Sequence, residues 1–275
     1  MVNVSFEQLK KIRDFVRLKI GIFIDDYKLT TIYRRKIVDL IQRHGFKDFE
    51  TFYSTVTGGR SPELLQELYN TMTVNETYFF REKEQFEILV RDIIPELDSK
   101  KSSFESINIL SAPCSTGEEV YTIAIYLMEH GLVNPSRKFM ILGIDVDSDA
   151  VKQAEEGFYT EKSMRGVPGY IKEKYFVKQG GGYQVIPQLR QAVSFKVVNV
   201  LDRYEMRRLG RFDVIFSRNM LIYFEERLRN ETIATFYSIL KPEGYLFLGH
   251  AERMPPTITL FKERSMGKAI VYQKV

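Results

Sequence analysis

The chain has 275 residues, of which 44% are hydrophobic and 28% charged, the length and balance of a globular protein with one large α/β domain, alone or beside a smaller one. The formal net charge of +4 is too small to identify a partner, and one cysteine with three histidines argues against a disulfide or a Cys/His metal site. No apolar run approaches the roughly 18 residues of a membrane span and no signal-peptide core is visible, so we expect a cytosolic protein.

The first 97 residues have the pattern of successive helices. Ser5 and Gln8 form a capping box in front of apolar residues at helical spacing, and Gly21 ends that run. Proline at the first helical position after Ser61 is a further start signal. Caps and apolar spacing predict further helices near residues 26–45, from residue 49, from residue 62 and over residues 82–97.

From residue 107 onward, short apolar strands alternate with helices. The strands are expected at residues 107–110, 139–144, 193–198, 213–216, 245–248, 259–262 and 269–272, with a long helix over residues 225–240. Such alternation predicts a mostly parallel sheet covered on both faces, and the short link between the last two strands predicts an antiparallel hairpin at its edge. An α/β sheet that ends in such a hairpin resembles the Rossmann-like class I methyltransferase fold.

The stretch around Gly180, Gly181 and Gly182 fits neither pattern. Short strand patterns lie on both sides of these glycines, which supply the positive φ that a hairpin needs. We therefore expect a small antiparallel β-insertion in the main domain, at about residues 170–190.

Ligands of open α/β sheets bind at the carboxyl ends of the central strands, where this sequence places polar residues. The loop at residues 111–119 has a single glycine, so it lacks the pattern of a pyrophosphate cradle but suits an adenosyl ligand without phosphates. Asp145 ends the second strand, where an acid can accept hydrogen bonds from both ribose hydroxyls. Arg218, Asn219 and Tyr223 follow the fourth strand and complete this candidate site.

Several short motifs together resemble one known family. The segments at residues 73–82, 115–119, 143–147, 217–219 and 222–224 look like those of the CheR family, the chemotaxis receptor glutamate O-methyltransferases that use S-adenosylmethionine. The resemblance covers nearly the whole chain and implies an N-terminal helical domain, a methyltransferase domain and an inserted β-subdomain. It also implies the acceptor, glutamate side chains on chemoreceptor helices, and the product S-adenosylhomocysteine.

Position by position, the resemblance assigns residues to the cofactor and to the transferred methyl group. It implies contacts with S-adenosylmethionine at Asn75, Thr77, Arg81, Glu119, Asp145, Asn199, Val200, Arg218 and Asn219. Arg81 and Tyr223 match the residues that the family places beside the methyl group, so they are the expected catalytic residues. Glu76 departs from the family pattern, which often has a small or apolar residue there, and adds a charge near the expected site.

The expected reaction asks for little acid–base chemistry. A glutamate carboxylate, with a reference pKa of about 4.3, is already ionised at pH 7, so no general base is needed. Alignment of oxygen, methyl carbon and sulfur, with removal of water from the carboxylate, is expected to supply about 7–11 kcal/mol. We expect Arg81 to hold the carboxylate by forked hydrogen bonds, and Tyr223 to offer its hydroxyl or pack beside the methyl group.

Basic residues on the first two helices fit an acidic partner. Receptor methylation helices present glutamates, so this face could steer docking, although a solvated surface is the commoner explanation of such charges. The resemblance also suggests that a receptor C-terminal peptide binds the β-insertion, as in some family members, while a plain hairpin is the simpler alternative. Neither nucleic acid nor direct membrane insertion is expected.

The expected domains are a helical domain over residues 1–97, which includes the start of the cofactor site at residues 73–82, a linker at residues 98–106, and a methyltransferase domain over residues 107–275. Two alternatives stay open: a methyltransferase that acts on a small carboxylic acid or another protein, and a non-catalytic signalling module that binds the cofactor. A nucleic-acid methyltransferase is disfavoured, because the chain lacks the Asn/Asp-Pro-Pro-aromatic motif that holds a flipped base.

Overall fold

The N-terminal part of the computed structural model, which describes residues 2–102, 105–133 and 138–275, is a group of packed helices. Their bounds are α1 Phe6–Ile20, α2 Asp26–Lys28, α3 Arg34–Arg43, α4 Phe49–Thr57 and α5 Pro62–Met72. Their buried apolar residues form a hydrophobic cluster that runs from Val4 to Met72. No helix in the described part of the chain combines the length and the apolar character that crossing a bilayer requires.

The first of these helices confirms the capping box. The N–H of Gln8 donates to Ser5 Oγ at 3.2 Å, and the N–H of Ser5 donates to Gln8 Oε1 at 2.9 Å. Gly21 ends the helix with a φ of 82°, a left-handed conformation that costs glycine little. The helix expected near residues 26–45 forms as α2 and α3 joined by a π-helical turn at Leu29–Tyr33, which apolar spacing does not signal.

The helical stretch after residue 82 packs into the α/β core. It comprises α6 Lys83–Ile88, a π-helical turn at Leu89–Ile93 and α7 Ile94–Lys100. Its buried Phe86 and Leu97 share a hydrophobic cluster with Ile107 of the first strand, whereas the N-terminal cluster ends at Met72. This packing favours a domain boundary near residue 73 in place of the expected residue 97, and we propose the boundary there. Of the expected linker at residues 98–106, residues 103–104 lie outside the described residues.

Within the described residues the main sheet has seven strands in the order β6-β2-β1-β7-β8-β10-β9. Their bounds are β1 Ile107–Ser111, β2 Phe139–Asp145, β6 Val193–Val197, β7 Phe212–Ser217, β8 Leu240–Leu248, β9 Phe261–Met266 and β10 Ala269–Lys274. The first five strands in this spatial order, β6, β2, β1, β7 and β8, pair in parallel with their neighbours. Strand β10 is antiparallel to both β8 and β9. The predicted parallel sheet with a terminal antiparallel hairpin is therefore confirmed.

The first strand of that hairpin was predicted in the wrong place. It was expected at residues 259–262, but it begins at Phe261 and continues to Met266, whose partner is Ala269. The strand lies at the edge of the sheet, and its mostly exposed polar side chains hide it from a search for apolar runs.

Helices cover the sheet, and alternate strand residues enter separate hydrophobic clusters. The helix bounds are α8 Glu118–Glu129, α9 Ser148–Glu156, α10 Gly169–Tyr175, α11 Pro187–Gln191, α12 Arg203–Arg208 and α13 Glu226–Ile239. In β8, Phe247 joins the cluster that contains α8, whereas Leu246 joins the cluster that contains α13. Asp147 caps α9, since its side chain accepts the N–H groups of Asp149 and Ala150 in the first turn of this helix.

The β-insertion is present as a separate antiparallel sheet. Its strands are β3 Phe158–Tyr159, β4 Phe176–Gln179 and β5 Gly182–Val185, in the order β3-β5-β4. Gly180 and Gly181, with φ of 56° and 78°, form the turn between β4 and β5. The short β3 was not expected, because two residues are too few for an alternating pattern.

Candidate functional site

Two adjoining cavities lie at the carboxyl ends of β1, β2 and β7, between the sheet and the N-terminal helices. The Asp145 cavity has among its lining residues Ile20, Ile22, Asn75, Asp145, Asn199, Val200, Asn219 and Tyr223. The Glu119 cavity has among its lining residues Thr77, Arg81, Glu119, Arg218 and Asn219. Because Val74, Pro113, Ser115 and Asn219 line both, the cavities are neighbouring parts of one site. Every site residue expected from the sequence lines one of them.

Asp145 is held at the end of β2 with its carboxylate buried. Its side chain is 5% exposed; Oδ2 accepts the Ser115 N–H at 2.7 Å, and Oδ1 accepts the Asp147 N–H at 2.9 Å. Burial raises the pKa of Asp145 to about 6, because removal from water disfavours the charged form more than these hydrogen bonds favour it. Each carboxylate oxygen has further acceptor capacity, so the group can still accept ligand hydroxyls.

Glu119 and Arg218 form a buried ion pair in the wall of the Glu119 cavity. Glu119 Oε2 lies 2.8 Å from Arg218 Nη1, and Glu119 Oε1 accepts the Ser111 hydroxyl at 2.8 Å. Burial raises the pKa of Glu119, while the neighbouring guanidinium opposes that rise. Arg218 Nη2 donates to the carbonyl of Arg81 at 2.6 Å and lies 3.1 Å from Glu82 Oε2. Arg218 therefore also anchors the segment that carries Arg81.

Arg81 stands between two residues with unusual backbone conformations. Phe80 and Glu82 have φ of 63° and 55°, in the left-handed region that non-glycine residues rarely adopt. Tertiary contacts hold these flanks, since the Phe80 N–H donates to Thr122 Oγ1 at 3.2 Å and Glu82 pairs with the buried guanidinium described above. The Arg81 guanidinium donates to the carbonyl of Glu76 at 3.0 Å. Strained backbone of this kind is concentrated at functional sites.

The loop after β7 is fixed by a buried acid that the sequence analysis missed. Glu252 is 5% exposed, and its Oε2 accepts the N–H of Asn219 at 2.8 Å and of Gly249 at 2.7 Å. Its Oε1 accepts the N–H of Ile222 at 3.3 Å, next to Tyr223. Asn219 has a φ of 58°, so this loop is also strained. A single acid beyond a strand gives no sequence signal for such a role.

Asn75 and Asn199, two further expected cofactor residues, also use their side chains in contacts within the protein. Asn75 Nδ2 donates to Asp147 Oδ2 at 2.6 Å. Asn199 Nδ2 donates to the carbonyl of Lys19 at 2.7 Å, which connects the loop after β6 to the end of α1. The apolar walls Ile20 and Ile22 were also missed, because helical periodicity assigns Ile20 only to the core. These contacts show that the N-terminal helices complete the cavity.

The groups around the two cavities fit an adenosyl ligand that carries an amino acid. Asp145 and Glu119 offer acceptors for hydroxyl and ammonium groups, and Ile20, Ile22 and Val200 offer apolar surface. Nε of Arg218 is buried and has no hydrogen-bond partner among the described residues, so one donor of this guanidinium is unused there. In the part of the chain that the structure describes, no group of His, Cys, Asp or Glu side chains could hold a metal ion.

Comparison with known proteins identifies the same family that the sequence motifs resemble, and it does so over most of the chain. The family described as "CheR methyltransferase, SAM binding domain" matches residues 75–270, and "CheR methyltransferase, all-alpha domain" matches residues 7–73. Chemotaxis protein methyltransferase 2 of Vibrio cholerae is 36% identical over 267 residues, which cover 96% of this chain and 91% of that protein. A chemotaxis protein methyltransferase of Borreliella burgdorferi is 36% identical over 257 residues, which cover 91% of this chain and 89% of that protein. The chain belongs to the CheR family of S-adenosylmethionine-dependent methyltransferases.

Proposed function

We propose that this protein transfers the methyl group of S-adenosylmethionine to glutamate side chains of chemoreceptors during chemotactic adaptation. The products are glutamate methyl esters and S-adenosylhomocysteine. The observation that carries the proposal is the convergence of all the expected cofactor and catalytic residues on two adjoining cavities at one edge of the sheet. The names of the Vibrio and Borreliella relatives support the chemotactic role.

The proposed cofactor site uses both cavities. Asp145 would accept the ribose hydroxyls, and Val200, Ile20 and Ile22 would offer apolar surface to the adenine. Glu119 and Arg218 face the amino-acid end in the neighbouring cavity, where carboxylate and guanidinium complement an ammonium and a carboxylate. Thr77, Asn75, Asn199 and Asn219 complete the walls of the site. When bound, the cofactor supplies a methyl group on a positively charged sulfonium.

The protein's own contribution is to place an ionised glutamate in line with that methyl group. The carboxylate has a reference pKa of about 4.3 and needs no base at neutral pH. Arg81 orients the incoming carboxylate, and the hydrogen bond from its guanidinium to the carbonyl of Glu76 keeps the side chain at the cavity. Tyr223 lines the neighbouring cavity and closes the reacting atoms off from water.

The proposed receptor-docking surface is the basic face of α1 and α3. Most of its cations pair locally, as Arg17 does with Glu225 at 2.7 Å. Among the cations of this face that pair with a carboxylate, Arg35 is the most open, with 90% of its side chain exposed and Asp39 3.9 Å away. The neighbouring Lys36 is exposed and has no carboxylate in ion-pair range among the described residues. These two cations are the best placed to meet the glutamates of a receptor helix in the cytosol.

A second receptor contact is proposed at the β-insertion. Strand β4 is at the edge of the three-stranded sheet, with β5 on its other side, and Val177 on it is 51% exposed. An extended receptor C-terminal peptide can add to such an edge through main-chain hydrogen bonds.

The proposed function is tested by incubating the protein with methyl-labelled S-adenosylmethionine and membranes that contain chemoreceptors. Base treatment releases a carboxyl methyl ester as volatile methanol, so base-labile label on the receptor is the expected result. Label found only in small molecules or in other proteins would show a different acceptor. Tight S-adenosylhomocysteine binding without any transfer would favour a non-catalytic module.

A further inference from the structure

The end of α1 and the residues that follow it contact three consecutive residues of the loop that carries Tyr223. The N–H of Phe23 donates to the carbonyl of Tyr223 at 3.2 Å. The next residue, Phe224, packs its ring against Gly21, and Arg17 Nη1 lies 2.7 Å from Glu225 Oε1. A hydrogen bond, a ring contact and an ion pair thus connect the helical domain to the loop after β7.

The ring contact depends on the absence of a side chain at Gly21. A Cβ placed there would lie 2.8 Å from Cε1 of Phe224 and 2.9 Å from Cζ, closer than real Cβ contacts allow. Phe224 is 4% exposed, so its ring has little room to move aside. Any side chain at position 21 must therefore displace the loop.

The same segment, the end of α1 and the residues just after it, also reaches the cofactor cavity. Ile20 and Ile22 line it together with Tyr223. Tyr33, on the π-helical turn of the helical domain, is 4% exposed, and burial raises its pKa with a further contribution from the nearby Tyr223. Two separate elements of the helical domain therefore adjoin the tyrosine.

We propose that Gly21, Phe23 and Arg17 are positioning residues that set the location of Tyr223 for methyl transfer. The proposal rests on the proposed function, because it takes Tyr223 to lie beside the transferred methyl group. The α/β domain holds one side of the loop through Glu252, and the helical domain holds the other. Since a displacement of about 1 Å can cost about a hundredfold in rate, these contacts act on catalysis and not only on folding.

The first test compares Gly21→Ala with Gly45→Ala. Both glycines end helices of the same domain with positive φ, 82° and 69°, so both changes impose similar backbone strain. No atom lies within 4 Å of a Cβ at Gly45, so only Gly21→Ala pushes on Phe224. We expect Gly21→Ala to lower kcat for receptor methylation about tenfold, and Gly45→Ala to leave it within about twofold.

A double-variant cycle isolates the ring contact. In a Phe224→Leu background the smaller side chain gives way, so Gly21→Ala is expected to lower kcat by no more than about twofold. Affinity for S-adenosylhomocysteine, measured by calorimetry, distinguishes an effect on the position of Tyr223 from an effect on the shape of the cofactor cavity. Loss of affinity in proportion to kcat/KM in Gly21→Ala would overturn the proposal, since it would make Gly21 only part of the cavity wall.

A second pair of variants does not disturb the backbone. Glu225→Gln removes the partner of Arg17, while Glu226→Gln makes the same charge change on the adjacent exposed residue. We expect Glu225→Gln to lower kcat about two- to threefold, and Glu226→Gln to have no effect on it. The positioning role is overturned if the wild-type protein methylates receptors and, within each pair, the variant and its control have the same kcat. Absence of methylation by the wild-type protein instead refutes the proposed function itself.

Discussion

The side-chain amide of Asn75 lies 2.6 Å from Oδ2 of Asp147, the residue that caps α9. Thr73 donates its hydroxyl to the same oxygen at 2.6 Å, and Oδ1 accepts the N–H groups of Asp149 and Ala150 at 3.0 Å. Asp147 is 2% exposed, so these donors stabilise a buried carboxylate. The chain that leaves the N-terminal helices is therefore fastened beside the end of β2, where Asp145 faces the cofactor cavity.

This arrangement predicts different effects for two changes at Asn75. Asn75→Ala removes one donor and is expected to lower the free energy of unfolding by about 1 kcal/mol. Asn75→Asp places a second carboxylate against Asp147, so repulsion adds to the loss and cofactor affinity falls further. Chemical denaturation and calorimetry with S-adenosylhomocysteine measure both quantities. Equal values for the two variants would mean that Asn75 does not contact Asp147 in solution.

Cofactor affinity is predicted to depend on pH through Asp145. Its pKa is raised to about 6 by burial, and only the ionised carboxylate accepts both ribose hydroxyls. Affinity for S-adenosylhomocysteine should therefore be about tenfold lower at pH 5 than its plateau above pH 7. Calorimetry across this range measures the effect. The Asp145→Asn variant should bind weakly, with a much flatter profile that leaves only the contribution of Glu119.

The stability of the ligand-free protein should follow the opposite trend. The protonated Asp145 is favoured in the folded state, so its contribution is full below pH 3.8 and is lost as the pH rises through about 6. The difference of about 2 pKa units corresponds to about 3 kcal/mol. Asp145→Asn does not titrate, so the free energy of unfolding of the wild type minus that of the variant isolates this contribution across pH. A difference that rises between pH 3.8 and pH 7 would contradict the raised pKa.

Arg81 is predicted to act on methyl transfer more than on cofactor binding. Arg81→Lys keeps the charge but loses the planar fork that orients a carboxylate. We expect kcat to fall by about ten- to a hundredfold, with cofactor affinity changed by less than about threefold. Rate measurements on receptor membranes and calorimetry give the two numbers. Parallel losses would show that Arg81 serves the cofactor alone.

Charge reversal on the proposed docking face is predicted to change receptor affinity alone. Arg35 and Lys36 are exposed, so Arg35→Glu with Lys36→Glu should raise the KM for receptor about tenfold and leave cofactor affinity unchanged. The effect should shrink at high salt, because exposed charges are screened. Arg34 is a poor choice for this test, since it donates to the carbonyl of Val4 at 2.7 Å and its loss disturbs the fold. An unchanged KM at low salt would place the docking surface elsewhere.

Much of this architecture could be predicted from local patterns. The capping box of α1, the parallel strands and the glycine turn of the insertion each depend on residues close in sequence. The π-helical turns at Leu29–Tyr33 and Leu89–Ile93 could not, because apolar spacing does not distinguish such a turn from the α-helix around it.

In the candidate site, too, some residues could be predicted from local sequence and others could not. Asp145 follows a strand and was expected from its position alone, whereas Arg81 and Asn75 were expected only through the family resemblance. Glu252 was missed, since its role comes from backbone N–H groups of a loop 30 or more residues away in the chain. The connection of Asn199 to Lys19 spans 180 residues, and no local pattern can reveal it.

Ile20 at the end of α1 and Ile22 just after it line the proposed donor cavity, so a donor bound there would contact both halves of the chain. A ligand that binds only the assembled protein shifts any opening equilibrium by mass action, by about 2.7 kcal/mol at a hundred times its Kd. We therefore expect S-adenosylhomocysteine to slow protease cleavage near residues 20–25, where the chain passes from α1 to the cavity wall, as measured by limited digestion with and without the ligand.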